Sequence, residues 1–152
     1  MELSGSRVEM DINNIIENSL IRMLNKKKRS VSIHKQLGEI PCPVGFPDQI
    51  ENVIQIFLHH SFNNIEGKGK IFISTWRSKD FVKIAIRDIG GTKRRKRRIE
   101  KSLHRSTLPF TGKPDSQWFR YMQSIILSQG GSLEVFGKSG TGTEFVMTLP
   151  LK

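Results

Sequence analysis

From Asp11 to Asn25 the apolar residues Ile12, Ile15, Ile16, Leu20, Met23 and Leu24 recur every three or four positions, the spacing that lines one face of an α-helix. Asp11 stands where its carboxylate can cap the first turn. Lys26, Lys27, Lys28 and Arg29 follow the last turn, where positive charge suits the exposed carbonyls. Val31 and Ile33 then alternate with polar neighbours, which predicts a short strand. Three prolines and two glycines between Gly38 and Pro47 predict a loop. From Asp48 a second helical pattern begins, with Ile50, Val53, Ile54, Phe57, Leu58 and Phe62 on its apolar face.

Past a turn at Glu66 to Gly69 the period changes from helical to alternating. Ile71 and Ile73 mark one strand and Val82, Ile84 and Ile86 the next, joined through Arg77 to Asp80 as a hairpin. Between Asp88 and Asp115 the periodicity disappears, and a connection that long inside a compact domain is usually a functional lid or a mobile loop. Trp118, Phe119, Met122, Ile125 and Ile126 restore helical spacing up to Gly130 and Gly131. Ser132 to Phe136 and Thr143 to Leu149 predict two closing strands around Lys138, Ser139, Gly140, Thr141 and Gly142. The order is helix, strand, helix, two strands, long loop, helix, two strands. It suits an α/β two-layer sandwich: a mixed β-sheet with helices packed on one face.

A chain of 152 residues, 36% apolar and 26% charged, has the size and composition of one folded domain. We take residues 1–10 as an N-terminal extension or remnant, 11–152 as the domain and 88–115 as its lid or basic loop. Cys42 is the only cysteine, so an internal disulfide is impossible and a reducing cytoplasm fits. No apolar run approaches the ~20 residues that span a bilayer, and no membrane contact is expected of this domain, although it could be the cytoplasmic part of a membrane-bound sensor. Of the formal net charge of +11, the run Lys93, Arg94, Arg95, Lys96, Arg97 and Arg98 supplies six.

Three local motifs point to a family. Gly130-Gly131-Ser132-Leu133-Glu134-Val135 with Gly140-Thr141-Gly142-Thr143-Glu144-Phe145-Val146-Met147-Thr148-Leu149-Pro150 resembles the closing hairpin, with its glycine-threonine motif, of the ATP-binding domain of sensor histidine kinases. Ile86-Arg87-Asp88-Ile89-Gly90-Gly91 resembles that family's aspartate-asparagine-glycine-x-glycine turn, in which the carboxylate accepts a hydrogen bond from the adenine amino group. Asp88 and Gly90 match; Ile89 replaces the asparagine and Thr92 the last glycine. Leu108-Pro109-Phe110-Thr111-Gly112-Lys113 resembles the segment ahead of the family's lid. The predicted element order is similar to the Bergerat-type fold that histidine kinases share with gyrase and mismatch-repair ATPases.

The resemblance implies ATP, with Mg²⁺, as ligand. It also implies nucleotide contacts at Asp88, Gly90, Gly91, Thr111, Lys113, Gly142 and Thr143, with Thr143 near the adenine. It places His60 where a family side-chain oxygen holds magnesium, and Ile56 where a polar residue one turn earlier positions the attacking group. Imidazole is a poor magnesium ligand, because the ion demands hard oxygen donors, and Ile56 can neither accept a proton nor orient water. No catalytic residue is therefore assigned. Ser116 and Trp118 stand where lid glycines normally let backbone amides approach the phosphates.

The implied function is the ATP-binding domain of a two-component-type signalling protein, with weakened nucleotide binding and no autonomous phosphotransfer. Its expected partners are a response-regulator receiver domain or the phosphoacceptor helices of a histidine kinase. The alternative is a pseudo-kinase interaction module that docks an acidic protein through Lys93 to Arg98, or, less favoured, nucleic acid. That run could equally be a solvated loop, could neutralise nucleic-acid phosphates, or could hold ATP phosphates with arginine forks. No aromatic residue interleaves it, so it offers no stacking platform. Asp88 could instead cap a turn. His59 and His60, adjacent on a helix, point ~100° apart and cannot grip one ion together.

Overall fold

The computed structural model describes residues 7–24, 31–65, 68–90, 117–138 and 142–151. Three helices, α1 (Ile12–Leu24), α2 (Pro47–Asn64) and α3 (Gln117–Ser128), lie against five strands: β2 (Val31–Leu37), β4 (Gly69–Ser78), β5 (Phe81–Gly90), β6 (Ser132–Lys138) and β7 (Gly142–Pro150). The strand order is β2-β4-β5-β7-β6; β2 and β4 are parallel and every other pair is antiparallel. The two parallel strands are connected through α2, since a parallel pair needs a long crossover. Two further strands of two residues each, β1 (Val8–Glu9) and β3 (Val44–Gly45), pair antiparallel.

Each helix forms for the reason its sequence suggests. Asp11 Oδ1 accepts from the Asn14 N–H at 3.1 Å, capping α1. Pro47 opens α2, where its missing N–H costs nothing. At the end of α3, Gly130 takes a positive φ of 83°, and a Cβ at Gly131 would collide with the Thr148 carbonyl of β7. Glycine at both positions lets the chain reverse directly into β6.

The core lies between the helices and one face of the sheet. Ile16, Ile50, Ile54, Phe57, Leu58, Phe119, Met122 and Ile126 of the helices meet Ile71, Ile73, Ile84, Ile86, Phe145, Met147 and Leu149 of the strands, all at 1% exposure or less. Two polar clusters tie loops to this frame. Gln129 accepts from the Phe46 N–H at 3.2 Å and donates to Gln49 Oε1 at 3.0 Å, joining the end of α3 to the start of α2. Thr75 Oγ1 donates to Asn13 Oδ1 at 2.9 Å and receives the Gly38 N–H at 3.0 Å, joining β4, α1 and the end of β2.

The structure departs from periodicity in four places. β2 runs for seven residues, because its partner β4 offers a complete parallel ladder from Gly69 to Thr75. The β4–β5 turn is only Lys79 and Asp80, since Arg77 and Ser78 pair with Val82 and Phe81. The proline-rich segment contains β3, and Met10, just ahead of Asp11, is 1% exposed in the core. β5 continues through Gly90, so Asp88 sits inside a strand instead of a turn. Its cross-strand neighbours Gly69, Lys70 and Ile71 hold it there. No helix among the described residues is long and apolar enough to cross a membrane.

Candidate functional site

Along β5 the side chains of Val82, Ile84, Ile86 and Asp88 point into the core in turn. Alternation therefore carries a carboxylate to the inner face, 1% exposed, at the end of an otherwise apolar row. Burying a charge is costly unless it is hydrogen-bonded, and Asp88 Oδ1 accepts the backbone N–H of Thr143 at 3.3 Å. Thr143, itself 1% exposed, opens the inward row Thr143, Phe145, Met147, Leu149 of β7. Its Oγ1 has no hydrogen-bond partner among the described residues. An ionised carboxylate has about four acceptor positions. Asp88 and Thr143 together set a carboxylate and a hydroxyl side by side at this end of the sheet.

Helix α2 covers this end of β7. Phe57 stacks on Phe145 with centroids 4.2 Å apart and planes 11° apart. One turn on, the His60 ring meets Phe145 edge-on at 5.4 Å. His59 is exposed while His60 is half-buried, as their ~100° separation requires. Ile56 is half-buried and packs against the core. The metal position inferred from the sequence is thus an imidazole set against a phenyl ring. It does not provide the oxygen donors magnesium needs. Among the described residues no group of three or more His, Cys, Asp or Glu could hold a metal ion.

Gly90 lies two residues beyond Asp88 on β5, and Gly142 immediately precedes Thr143 on β7, so the backbone of both belongs to the same end of the sheet. Gly91, Thr111, Lys113, Ser116 and the run Lys93 to Arg98 lie outside the described residues, as does the side chain of Trp118. Phe57 and Phe145, which form the aromatic floor beside the site, went unassigned in the sequence because apolar spacing marks them only as core. A surface groove of about 700 Å³ runs between the helices, lined by Arg22, Glu51, Gln55, Tyr121 and Ser124 among others. Neither Asp88, Thr143 nor His60 lines it. Its Arg22–Glu51 contact at 2.9 Å is a surface ion pair.

Compared with solved structures, the chain superimposes on the catalytic domain of the histidine kinase ThkA with a TM-score of 0.79 at 15% identity, covering 97% of this chain and 98% of that one. The fold is that of a histidine kinase catalytic domain. A mycobacterial sensor histidine kinase, MprB, shares this histidine kinase fold at a TM-score of 0.73 and 16% identity, with 95% and 97% of the two chains covered. Full-length ShkA, solved in complex with AMPPNP, matches at 0.73 and 16% over 99% of this chain and 32% of its own. ThkA has also been solved in complex with the response regulator protein TrrA. No protein-family model and no curated protein sequence matches the chain.

Proposed function

We propose that this chain is the nucleotide-binding domain of a two-component-type signalling protein, holding adenine on Asp88 and Thr143. The observation that carries the reading is a buried carboxylate at the end of β5, anchored by the Thr143 N–H at 3.3 Å and set beside a buried hydroxyl with no described partner. The bound AMPPNP of ShkA supports a nucleotide as the ligand class. Gly90, Gly91, Thr111, Lys113 and Gly142 are the further contacts of this reading. Affinity is weakened by the replaced metal and lid positions, and no phosphotransfer is autonomous.

The partner of this reading is a receiver domain or a pair of phosphoacceptor helices, on the cytoplasmic side of the membrane, supported by the complex of ThkA with its response regulator. A second reading rests on His60 set edge-on to Phe145 and Ile56 packed into the core. Under it the domain has lost ATP and works as an interaction module, with Lys93 to Arg98 docking an acidic partner.

Calorimetric titration with ATP and ADP, with and without Mg²⁺, tests the choice beside Asp88→Asn. The asparagine keeps an acceptor for the Thr143 N–H but turns a donor toward the ligand. A lost hydrogen bond to a charged group costs about 1.5–3 kcal/mol, so affinity should fall roughly 10- to 150-fold while the melting temperature holds. No heat from the wild type at millimolar nucleotide would leave the interaction-module reading standing.

A further inference from the structure

All three helices pack on one face of the sheet, and no described element covers the other. On that open face the β4–β5 hairpin presents Lys70, Phe72 and Trp76 from one strand and Phe81, Lys83 and Arg87 from the other. The remaining outward positions of the hairpin are Ser74, Ser78, Ala85 and Ile89, so the ribbon carries three cations, three aromatic rings and no carboxylate. We propose that this open face binds single-stranded nucleic acid, with bases on its rings and phosphates on its cations.

Three planar groups lie face to face in one row across the strands. Register places His34, Phe72 and Arg87 side by side across β2, β4 and β5. His34 stacks on Phe72 at 5.0 Å with planes 25° apart, and the Arg87 guanidinium lies 5.3 Å from the centre of the same ring. Four residues further along β4, roughly 13 Å away, Trp76 is 40% exposed, and Phe81 beside it is also 40% exposed. Beside the His34–Phe72–Arg87 row lies a depression of about 430 Å³, lined also by Ser74, Ala85 and Glu144, within the size range of small-ligand pockets. Small side chains there leave room for a ring to lie against the sheet.

Aromatic side chains, histidine and arginine planes on a sheet surface are the groups that stack on unpaired bases, and lysine and arginine track the backbone. A duplex hides its base faces and would use only the cations. An acidic protein would likewise meet Lys70, Lys83 and Arg87 but leave Trp76 and Phe81 without a counterpart. Glu144 on β7 stands directly opposite Arg87 and lines the depression, and Glu134 lies one strand further out on β6. Glu144 marks the β7 border of the platform, and on its β4–β5 side Lys70, Lys83 and Arg87 favour a polyanion. The proposal is independent of whether ATP binds at Asp88.

Fluorescence anisotropy with labelled DNA and RNA single strands of about twenty nucleotides, long enough to span such a face, tests it on the full chain. Single strands should bind at least tenfold more tightly than a duplex of the same sequence. Trp76→Ala and Phe81→Ala should each weaken binding about 5- to 100-fold and leave the salt slope unchanged. Lys83→Gln and Arg87→Gln should each lower that slope by about 0.7. Circular dichroism and urea midpoints check that every variant is folded. The proposal is overturned if single strands do not bind, if duplex competes equally, or if only neutralising Lys93 to Arg98 abolishes binding while the sheet variants behave as wild type. It fails equally if Trp76→Ala and Phe81→Ala abolish self-association or capture of an acidic protein and leave oligonucleotide affinity untouched.

Discussion

The stack of Phe57 on Phe145 fastens α2 to β7 beside Asp88 and Thr143, and its contribution to stability can be worked from its geometry. Both rings are at most 1% exposed, with centroids 4.2 Å apart and near-parallel planes. Changing either to leucine removes roughly 40 Å² of buried apolar area, about 1 kcal/mol at ~25 cal/mol per Å². It also removes the aromatic pairing, about 1 kcal/mol. Phe57→Leu and Phe145→Leu should therefore each destabilise by about 2 kcal/mol. The pairing can be lost only once, so the double variant should lose about 3 kcal/mol instead of 4, a coupling of about 1 kcal/mol. Urea unfolding followed by circular dichroism gives all four free energies, and the single variants should melt about 4–8 °C lower. Additivity within ~0.3 kcal/mol would refute the stack as a distinct interaction and leave only two independently buried rings.

Two further predictions concern the frame. Gln129→Ala removes the acceptor of the Phe46 N–H and the donor to Gln49, and should cost about 2 kcal/mol in chemical denaturation; a change under ~0.5 kcal/mol would mean water replaces the amide. Lys79 holds the β4–β5 turn at a φ of 57°, a strained value for a residue with a Cβ. Lys79→Gly should raise stability by about 0.5–1 kcal/mol, seen as a higher melting temperature; a fall would show that the unfolded-chain entropy of glycine outweighs the relieved strain.

Local pattern was enough to locate the helices, because α1, α2 and α3 each bury one stripe and a buried stripe must be written at helical spacing. The same holds for Ile71 and Ile73 against Val82, Ile84 and Ile86, whose alternation is the alternation of two faces. Asp88 and Thr143 could be singled out by motif, but that they meet at 3.3 Å depends on β5 and β7 being neighbours in the sheet, a choice between residues 55 positions apart that neither strand records alone. The same limit explains why β1 and β3 were missed. Two-residue strands carry no period, and Val8 pairs with Gly45 only once the rest of the domain has brought them together.

The sequence by itself determined the three helices, the longer strands and which of their apolar side chains go inward, because these follow from periods of 3.6 and 2 and from the cost of exposing apolar groups to water. Tertiary structure alone decided the strand order, the long parallel β2, the extension of β5 past Asp88 and the side-by-side array of His34, Phe72 and Arg87 on the open face. Those depend on register between strands, and register is an energy of pairs distant along the chain, which no single segment contains.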